Sequence, residues 1–119
     1  MITGVVGILI GTDNLQRLSA FYRDTLGLTP HSVKPHIVSF AWESMRLSIV
    51  PHSEVKGQSA DPHRIMVNLG VADIHAAHAA LVAKGIPFIR KPGQEKWGGW
   101  IATFSDPDGN LLQLMQLTP

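Results

Sequence analysis

The sequence predicts an α+β fold made of two copies of one supersecondary unit. The main observation is an internal repeat, in which residues 8–15 (ILIGTDNL) and 67–74 (VNLGVADI) share one layout at a constant offset of 59 residues. Each has an apolar strand, a glycine, and an Asn or Asp before an apolar residue. A helical pattern closed by glycine follows each copy, at Gly27 and Gly85. A fixed internal period of this kind indicates a duplicated structural unit.

Each copy is predicted to begin with a strand and to continue into a helix. Asp13 or Asn14 is placed to cap the first helix and Asp73 the second, because short polar side chains accept hydrogen bonds from the first helical N–H groups. Gly27 and Gly85 suit the left-handed residue that follows a helix end. The apolar positions that recur at helical spacing are Leu15, Leu18, Phe21, Tyr22 and Leu26 in the first helix and Ile74, Ala77, His78, Leu81 and Val82 in the second.

Three further strands are predicted to complete each unit. The hairpin of the first unit has a tight turn at Glu43-Ser44. The hairpin of the second has residues 106–110 (DPDGN), which are typical of a type I turn with Gly109 in the left-handed position, followed by a bulge. The polar, turn-rich stretch 51–62 joins the copies. The hairpin strands are predicted at 36–42 and 46–50 in the first unit and at 100–105 and 111–117 in the second.

Composition bounds the function classes. The chain has 119 residues, 45% of them hydrophobic, and a formal net charge of +1, so it carries no electrostatic footprint for nucleic acid and no polybasic membrane patch. It contains no Cys, which excludes disulfides, Cys-type zinc sites and thiol catalysis. The longest apolar run, residues 4–11, is too short to span a bilayer and lacks the pattern of a secretion signal. We therefore expect a soluble cytoplasmic protein.

Three segments carry a family resemblance: residues 21–28 (FYRDTLGL), 73–86 (DIHAAHAALVAKGI) and 104–114 (FSDPDGNLLQL). They resemble the vicinal oxygen chelate superfamily, which contains glyoxalase I, bleomycin-resistance proteins and extradiol dioxygenases. The resemblance implies two tandem βαβββ modules that form a U-shaped eight-stranded mixed sheet, with helices on the convex side, a ligand on the concave side, and a homodimer. The expected layout is a single domain over 1–119, with module one at about 1–52, a linker at about 51–62 and module two at about 63–119.

Side-chain alternation along the strands predicts two different sheet faces. One face is bulky and apolar, as the side that buries the helices must be. The other is small or polar and suits the lining of a wet cleft. We assign Phe40, Trp42 and Phe104 to the core by this alternation. The residues assigned to the apolar face are Val6, Ile8, Ile10, Val38, Phe40, Trp42, Leu47, Ile49, Val67, Leu69, Val71, Ala102, Phe104, Leu112 and Leu114.

The metal positions of the family distinguish an enzyme from a binding protein. In metal-dependent members, the resemblance implies a His or Gln on the first strand of each module and a carboxylate on the last. The matching positions here are Gly7, Ser48, Met66 and Gln113. Only Gln113 is a plausible oxygen donor, whereas a bound divalent cation needs about three strong protein ligands. We therefore predict no metal and no other cofactor.

The histidines and the paired aspartates offer weaker candidates. His75 and His78 are three residues apart on the second helix, and without a third ligand they are expected to be solvent-facing or at the core edge. His52 alone has the alternation of the cleft face, at a strand end, where it is either a loop residue or a general base. The Asp106/Asp108 pair is expected to satisfy the backbone of its turn rather than to act in catalysis.

Two features remain for ligand recognition. Arg46, on the cleft face beside Ser48, either binds an anionic or carbonyl group or reaches solvent at the hairpin end. Trp97, in the segment 96–100 (KWGGW), either forms an aromatic wall over a planar ligand or packs in a dimer contact or beneath the sheet. Trp100 has the alternation of Phe104 and is expected to pack beneath the sheet.

These observations favour a homodimeric small-molecule-binding protein that holds an aromatic or amphipathic compound without converting it. The alternatives are a lyase, isomerase or dioxygenase-like enzyme with a metal on atypical ligands such as Gln113 and His52, and a metal-free enzyme that uses Arg46 and a histidine. The predicted ligand-binding residues are Gly7, Leu9, Ser39, Arg46, Ser48, His52, Met66, Asn68, Trp97, Thr103 and Gln113.

Overall fold

Each half of the chain folds as one strand, one helix and three more strands, which confirms the predicted α+β class and the duplication. A computed structural model describes residues 1–117 and divides the chain into two compact units, residues 1–57 and 58–119. The first unit contains β1 (Gly7–Thr12), α1 (Leu15–Ala20), a π-helical segment (Phe21–Thr25), β2 (Ser32–Lys34), β3 (Ile37–Trp42) and β4 (Met45–Pro51). The second contains β5 (Val67–Gly70), α2 (Ile74–Ala83), β6 (Phe88–Gln94), β7 (Trp100–Ser105) and β8 (Leu111–Gln116).

Both units have the same four-stranded mixed sheet. The strand order is β1-β4-β3-β2 in the first unit and β5-β8-β7-β6 in the second. In each, the first strand pairs in parallel with the last, and the other pairs are antiparallel. The first hairpin has the predicted register, with Ala41 opposite Arg46 and Ser39 opposite Ser48. The predicted strand bounds agree with the observed ones to within one residue.

Both helices begin at capping residues that the sequence predicts. The side chain of Asn14 accepts a hydrogen bond from the Arg17 backbone N–H, and that of Asp73 accepts one from the Ala76 N–H, each at 3.1 Å. Of the two alternatives for the first cap, Asn14 is therefore the capping residue. Asp13 instead accepts from the N–H of Gly57 at 2.8 Å and ties down the end of the first unit.

A π-helical turn, which the helical spacing did not predict, ends the first helix. The N–H of Leu26 donates to the carbonyl of Phe21, five residues earlier, at 2.9 Å. Leu18 and Tyr22 are both fully buried, and the Tyr22 and Phe40 rings lie 6.4 Å apart. A single π-helical turn shifts the spacing of apolar residues by less than one position relative to an α-helical turn, so the sequence pattern does not separate the two. The longer helix, α2, has 10 residues. No helix in the described part of the chain is long and apolar enough to cross a membrane.

The cores lie between each helix and one face of its own sheet. Phe40 and Phe104 are fully buried, as predicted. Trp42 is 46% exposed, so its assignment to the core was wrong. Trp42 is the last residue of β3, directly before the turn; alternation gives the side of the sheet on which a residue lies, not the depth of its burial. Val6 and Val82 are also exposed, against prediction, because Val6 precedes β1 and Val82 lies in the last turn of α2 away from its buried residues.

The helix-ending glycine Gly85 provides a test of local backbone strain. Its φ is 89°, and an added Cβ would meet no atom within 4 Å, so strain is the whole cost of a side chain there. We expect Gly85→Ala to lower the free energy of unfolding by about 1 kcal/mol in chemical denaturation. Gly70→Ala is the matched control, because Gly70 has equally open surroundings and no positive φ. Equal losses in both variants would contradict the assignment of the cost to φ.

Candidate functional site

The face of each sheet that its helix does not cover, here called the helix-free face, carries most of the predicted ligand-binding residues. In the first unit, strand register aligns Leu9, Ser48, Ser39 and Ser32 in one row across all four strands. In the second unit, it aligns Asn68, Gln113, Thr103 and Arg90 in the equivalent row. The two rows correspond strand by strand, because Leu9 and Asn68 are 59 residues apart on the first strands of the repeat.

The row of the first unit is built around a pair of hydroxyl groups. The Oγ atoms of Ser39 and Ser48 lie 3.2 Å apart and share a hydrogen bond. Ser39 is buried, whereas Leu9 beside Ser48 is largely exposed. This face therefore has a weakly polar part, the paired hydroxyl groups, next to an apolar part, the side chain of Leu9.

The row of the second unit has a neutral hydrogen bond at the equivalent place. Nε2 of Gln113 donates to Oγ1 of Thr103 at 3.2 Å, and Thr103 is buried. Asn68 lies next to Gln113 in register and is exposed, with its amide open to solvent. The second unit therefore has two amide side chains, Asn68 and Gln113, at the places where the first unit has Leu9 and Ser48.

Arg46 lies on the helix-free face of the first unit, opposite Gly7 and Ala41 in register. Its side chain is exposed, and no carboxylate in residues 1–57 forms an ion pair with it. A Cβ at Gly7 would lie 3.0 Å from the Arg46 carbonyl oxygen, so Gly7 allows β1 and β4 to approach closely. Position 7 accordingly serves strand packing and has no side chain for a ligand, and the guanidinium on this face belongs to Arg46.

The four residues at the positions that the family resemblance assigns to metal ligands do not fit a bound metal ion. Gly7 has no side chain, Ser48 and Gln113 are engaged in neutral hydrogen bonds, and Met66, directly before β5, offers a thioether. Across residues 1–117, no group of three or more His, Asp or Glu side chains is placed to hold a metal ion. A hydroxyl and a thioether are poor ligands for hard divalent cations, and the single amide oxygen of Gln113 falls short of the about three strong protein ligands that such an ion needs.

His52 follows the end of β4 and lies on the side of the helix-free face. Its Cβ is 3.2 Å from the position that a Cβ of Gly11 would occupy, and Gly11 shares the face of Leu9. Nδ1 of His52 accepts a hydrogen bond from the Glu54 backbone N–H at 3.1 Å. In the neutral ring the proton is then on Nε2, so the free nitrogen is a donor rather than a base.

The other histidines lie away from the two rows. His75 and His78 contact aromatic rings of the neighbouring strands edge-on, Trp100 with ring centroids 4.9 Å apart and Phe88 at 4.5 Å. His78 is half-buried at the core edge and His75 is exposed, which are the two positions predicted for them, and Trp100 packs on the helix-covered side as expected. The remaining histidines, His31, His36 and His63, are exposed.

The Asp106/Asp108 pair belongs to the turn, as predicted. Oδ1 of Asp106 accepts from the N–H groups of Asp108 and Asn110 at 2.9 and 3.0 Å, and Oδ2 accepts from the Asn110 side chain at 2.9 Å. Gly109 has a φ of 79°, and its N–H donates to the Asp106 carbonyl. Both aspartates are buried, and the three hydrogen bonds of the Asp106 carboxyl group hold the hairpin turn.

The hairpin of β6 and β7 carries the predicted Trp97 and adds Arg90 and Glu95, which the sequence analysis did not predict. Arg90 is opposite Thr103, and its Nη1 lies 3.1 Å from Oε1 of Glu95. Trp97, at the tip of the hairpin, is 56% exposed, and its ring fills the space where a Cβ of Gly99 would stand. The only signal in the sequence was an Arg followed closely by a Gly, at Arg90 and Gly93. The bulge that brings Arg90 opposite Thr103 is not visible in the sequence.

The structure thus places the predicted ligand-binding residues in two sets, one on each unit. Those on the helix-free faces lie in register with one another, whereas His52, Met66 and Trp97 lie just outside the strands. Whether a ligand contacts any of them stays a prediction. The first set is Gly7, Leu9, Ser39, Arg46, Ser48 and His52, and the second is Met66, Asn68, Trp97, Thr103 and Gln113.

Comparison with known proteins gives the family. A family model described as the Glyoxalase/Bleomycin resistance protein/Dioxygenase superfamily matches residues 4–114. Uncharacterized protein YetH of Bacillus subtilis (strain 168) is 22% identical over 123 residues, which cover 98% of this chain and 100% of YetH.

Two solved structures show the same fold. A lactoylglutathione lyase from Agrobacterium tumefaciens has a TM-score of 0.75 at 19% identity, with 98% of this chain and 95% of that chain covered. A glyoxalase/bleomycin resistance protein/dioxygenase from Nocardioides has a TM-score of 0.75 at 20% identity, with 99% and 85% covered. At such identities the likeness concerns the fold rather than the chemistry. Because the family model spans nearly the whole chain, the chain belongs to the Glyoxalase/Bleomycin resistance protein/Dioxygenase superfamily.

Proposed function

We propose that this protein binds an aromatic or amphipathic small molecule on the helix-free faces of its sheets, without a bound metal ion and without converting the ligand. The protein is proposed to act as a cytoplasmic homodimer, as the family resemblance implies. The observation that carries the proposal is the chemistry of the two strand rows. Two of the four positions that the family resemblance assigns to metal ligands, Ser48 and Gln113, carry neutral side chains, and each is hydrogen-bonded to a neutral neighbour, Ser39 and Thr103 respectively.

Such pairs suit recognition better than catalysis. A hydroxyl or amide that already has one partner keeps further hydrogen-bonding capacity for a ligand, and it offers neither a strong base nor a nucleophile. His52 does not supply the missing base, because its Nδ1 is occupied by the Glu54 N–H. The exposed side chain of Leu9 adds apolar surface beside these groups. Apolar surface with a few placed polar groups is the usual character of a small-molecule site.

The test is metal content together with ligand binding. Protein purified without chelator, then incubated with Ni, Zn, Mn or Fe(II) and desalted, is expected to retain less than about a tenth of an equivalent of any ion, because sound protein metal sites hold their ion strongly. Planar and amphipathic compounds are then screened by thermal shift, since a ligand that binds only the folded state raises Tm. The compounds that bind are expected to be recovered unchanged.

Gln113→Met serves as the control for metal binding, since it removes the best oxygen donor at similar volume. About one equivalent of an ion in the parent protein, lost in Gln113→Met, would contradict the proposal and favour a metal-dependent lyase, isomerase or dioxygenase. Turnover of a bound compound without metal would favour the metal-free enzyme instead.

A further inference from the structure

The strand β6 is irregular in a way that places a guanidinium group on the helix-free face. Phe88 pairs with Phe104, but the next pair is Arg90 with Thr103, and the following one is Gly93 with Ile101. The chain therefore has extra residues at two bulges. Bulges re-aim side chains, and here Arg90 is brought to the face of Thr103 although Phe88 packs on the helix-covered side.

Gly93 provides the space in which the Arg90 guanidinium lies. A Cβ at position 93 would stand 3.0 Å from Nη2 and 3.4 Å from Nε of Arg90. Gly93 is opposite Ile101, which has the same alternation as Thr103, so the guanidinium lies over the helix-free face. A side chain at position 93 would make the Arg90 guanidinium shift by a few tenths of an ångström, so the glycine favours this position of Arg90.

The absence of a side chain at Gly99 likewise leaves space for an aromatic ring. The indole of Trp97 occupies the place of a Gly99 Cβ, and Gly99 precedes Trp100, whose ring is on the helix-covered side. Trp97 and Gly99 lie between β6 and β7, in the turn of that hairpin. Hydrogen bonds from Glu95 N–H to the Gly99 carbonyl at 2.8 Å and from Gly98 N–H to the Glu95 carbonyl at 2.9 Å hold the tip. One hairpin therefore carries a cation on β6 and an aromatic plane at its tip.

Glu95 is the only described partner of the Arg90 guanidinium within residues 58–117, through the single Nη1–Oε1 contact of 3.1 Å. The side chains of Arg90 and Glu95 are 41% and 34% exposed, so the pair is accessible to a ligand. A guanidinium has five N–H donors in a fixed fork, and one contact leaves the rest available. A half-exposed ion pair of this kind is weak enough for another carboxylate to replace it.

We propose that the β6–β7 hairpin recognises the carboxylate of a planar aromatic acid, an inference that rests on the proposed small-molecule function and names its ligand class. Arg90 binds the carboxylate through its forked donors, a geometry that favours two parallel hydrogen bonds. Trp97 stacks on the aromatic ring. Glu95 is an internal competitor, which holds Arg90 in place when no ligand is bound and is displaced by the acid.

The test compares 2-naphthoate with its neutral analogue 2-naphthamide by isothermal titration calorimetry. Arg90→Gln is expected to weaken 2-naphthoate by about tenfold or more and to leave 2-naphthamide unchanged, because a hydrogen bond to a charged group is lost only for the acid. Glu95→Gln is expected to strengthen 2-naphthoate several-fold, since the competing charge is gone. Trp97→Ala is expected to weaken both probes.

Asp61→Asn is the matched control for Glu95→Gln. Asp61 forms an ion pair with Arg64 in the same unit, with Nη2 and Oδ2 2.8 Å apart, and the variant changes net charge by the same amount. An equal gain in 2-naphthoate affinity in both variants would overturn the inference, because the effect would then come from net charge alone. Thermal unfolding of each variant checks the fold, and Glu95→Gln keeps the test decisive if Arg90→Gln does not fold.

The outcomes separate the inference from the function on which it rests. If the parent protein and Arg90→Gln bind both probes equally well, the carboxylate site is wrong and the small-molecule function stands. If neither probe binds to the parent protein and the screen of planar compounds is also negative, both fail.

Discussion

Asp106→Ala is expected to lower the free energy of unfolding by about 3 kcal/mol or more, measured by urea denaturation. The physical reason is that one buried carboxyl group serves three donors: the N–H groups of Asp108 and Asn110 and the Asn110 side-chain amide. Alanine leaves these donors without their acceptor, and each buried donor left unsatisfied costs about 1 to 3 kcal/mol. The loss falls on the β7–β8 hairpin, which carries Thr103 and Gln113.

Two comparisons define what this variant reports. Asp61→Ala removes an exposed carboxylate that pairs with Arg64, and it is expected to change stability little, because exposed ion pairs contribute little. Asp106→Asn keeps one side-chain oxygen and is expected to fall between the parent protein and Asp106→Ala. If Asp106→Ala were as stable as the parent protein but lost ligand binding, the aspartate would belong to the binding site rather than to the turn.

Phe104→Ala is expected to cost about 3 to 5 kcal/mol of unfolding free energy, the usual range for a buried phenylalanine. Phe104 is fully buried, its ring lies 5.1 Å from that of Phe88 between centroids, and it is opposite Leu112 on β8. Removal of the ring leaves a cavity between the sheet and α2, and the neighbouring side chains fill it only in part.

Trp42→Ala is the matched control for Phe104→Ala. Strand alternation assigns both aromatic residues to the same kind of face, yet Trp42 is 46% exposed. Since stabilisation follows the apolar area removed from water, we expect a clearly smaller loss at Trp42 despite its larger side chain. Chemical denaturation of both variants under one set of conditions measures the two losses, and an equal loss would contradict the exposed position of Trp42.

The elements that were predicted correctly depend on local chemistry. Helix caps at Asn14 and Asp73, the left-handed Gly85 and the DPDGN turn each follow from residues within five positions of one another. Short-range hydrogen bonds and allowed φ values depend little on the rest of the fold. The first hairpin register also followed, because a two-residue turn fixes which residues of the two strands are opposite.

The candidate site was predicted only in part. The rows that contain Ser39, Ser48, Thr103 and Gln113 follow from alternation in regular hairpins, which the sequence indicates. Arg90 was missed because two bulges change the register of β6, and a bulge of one residue reverses the face on which every later side chain lies.

The sequence by itself determined the duplication, the order of helices and strands, and the chemical nature of the positions that the family resemblance assigns to metal ligands. Each of these is carried by residue identity and spacing along the chain. Only the tertiary structure decided the exposure of Trp42 and the pairing of Arg90 with Glu95 over Gly93. Burial depends on which atoms from distant segments cover a side chain, and the direction of Arg90 depends on how β6 pairs with β7. Neither property is contained in the period of a single strand.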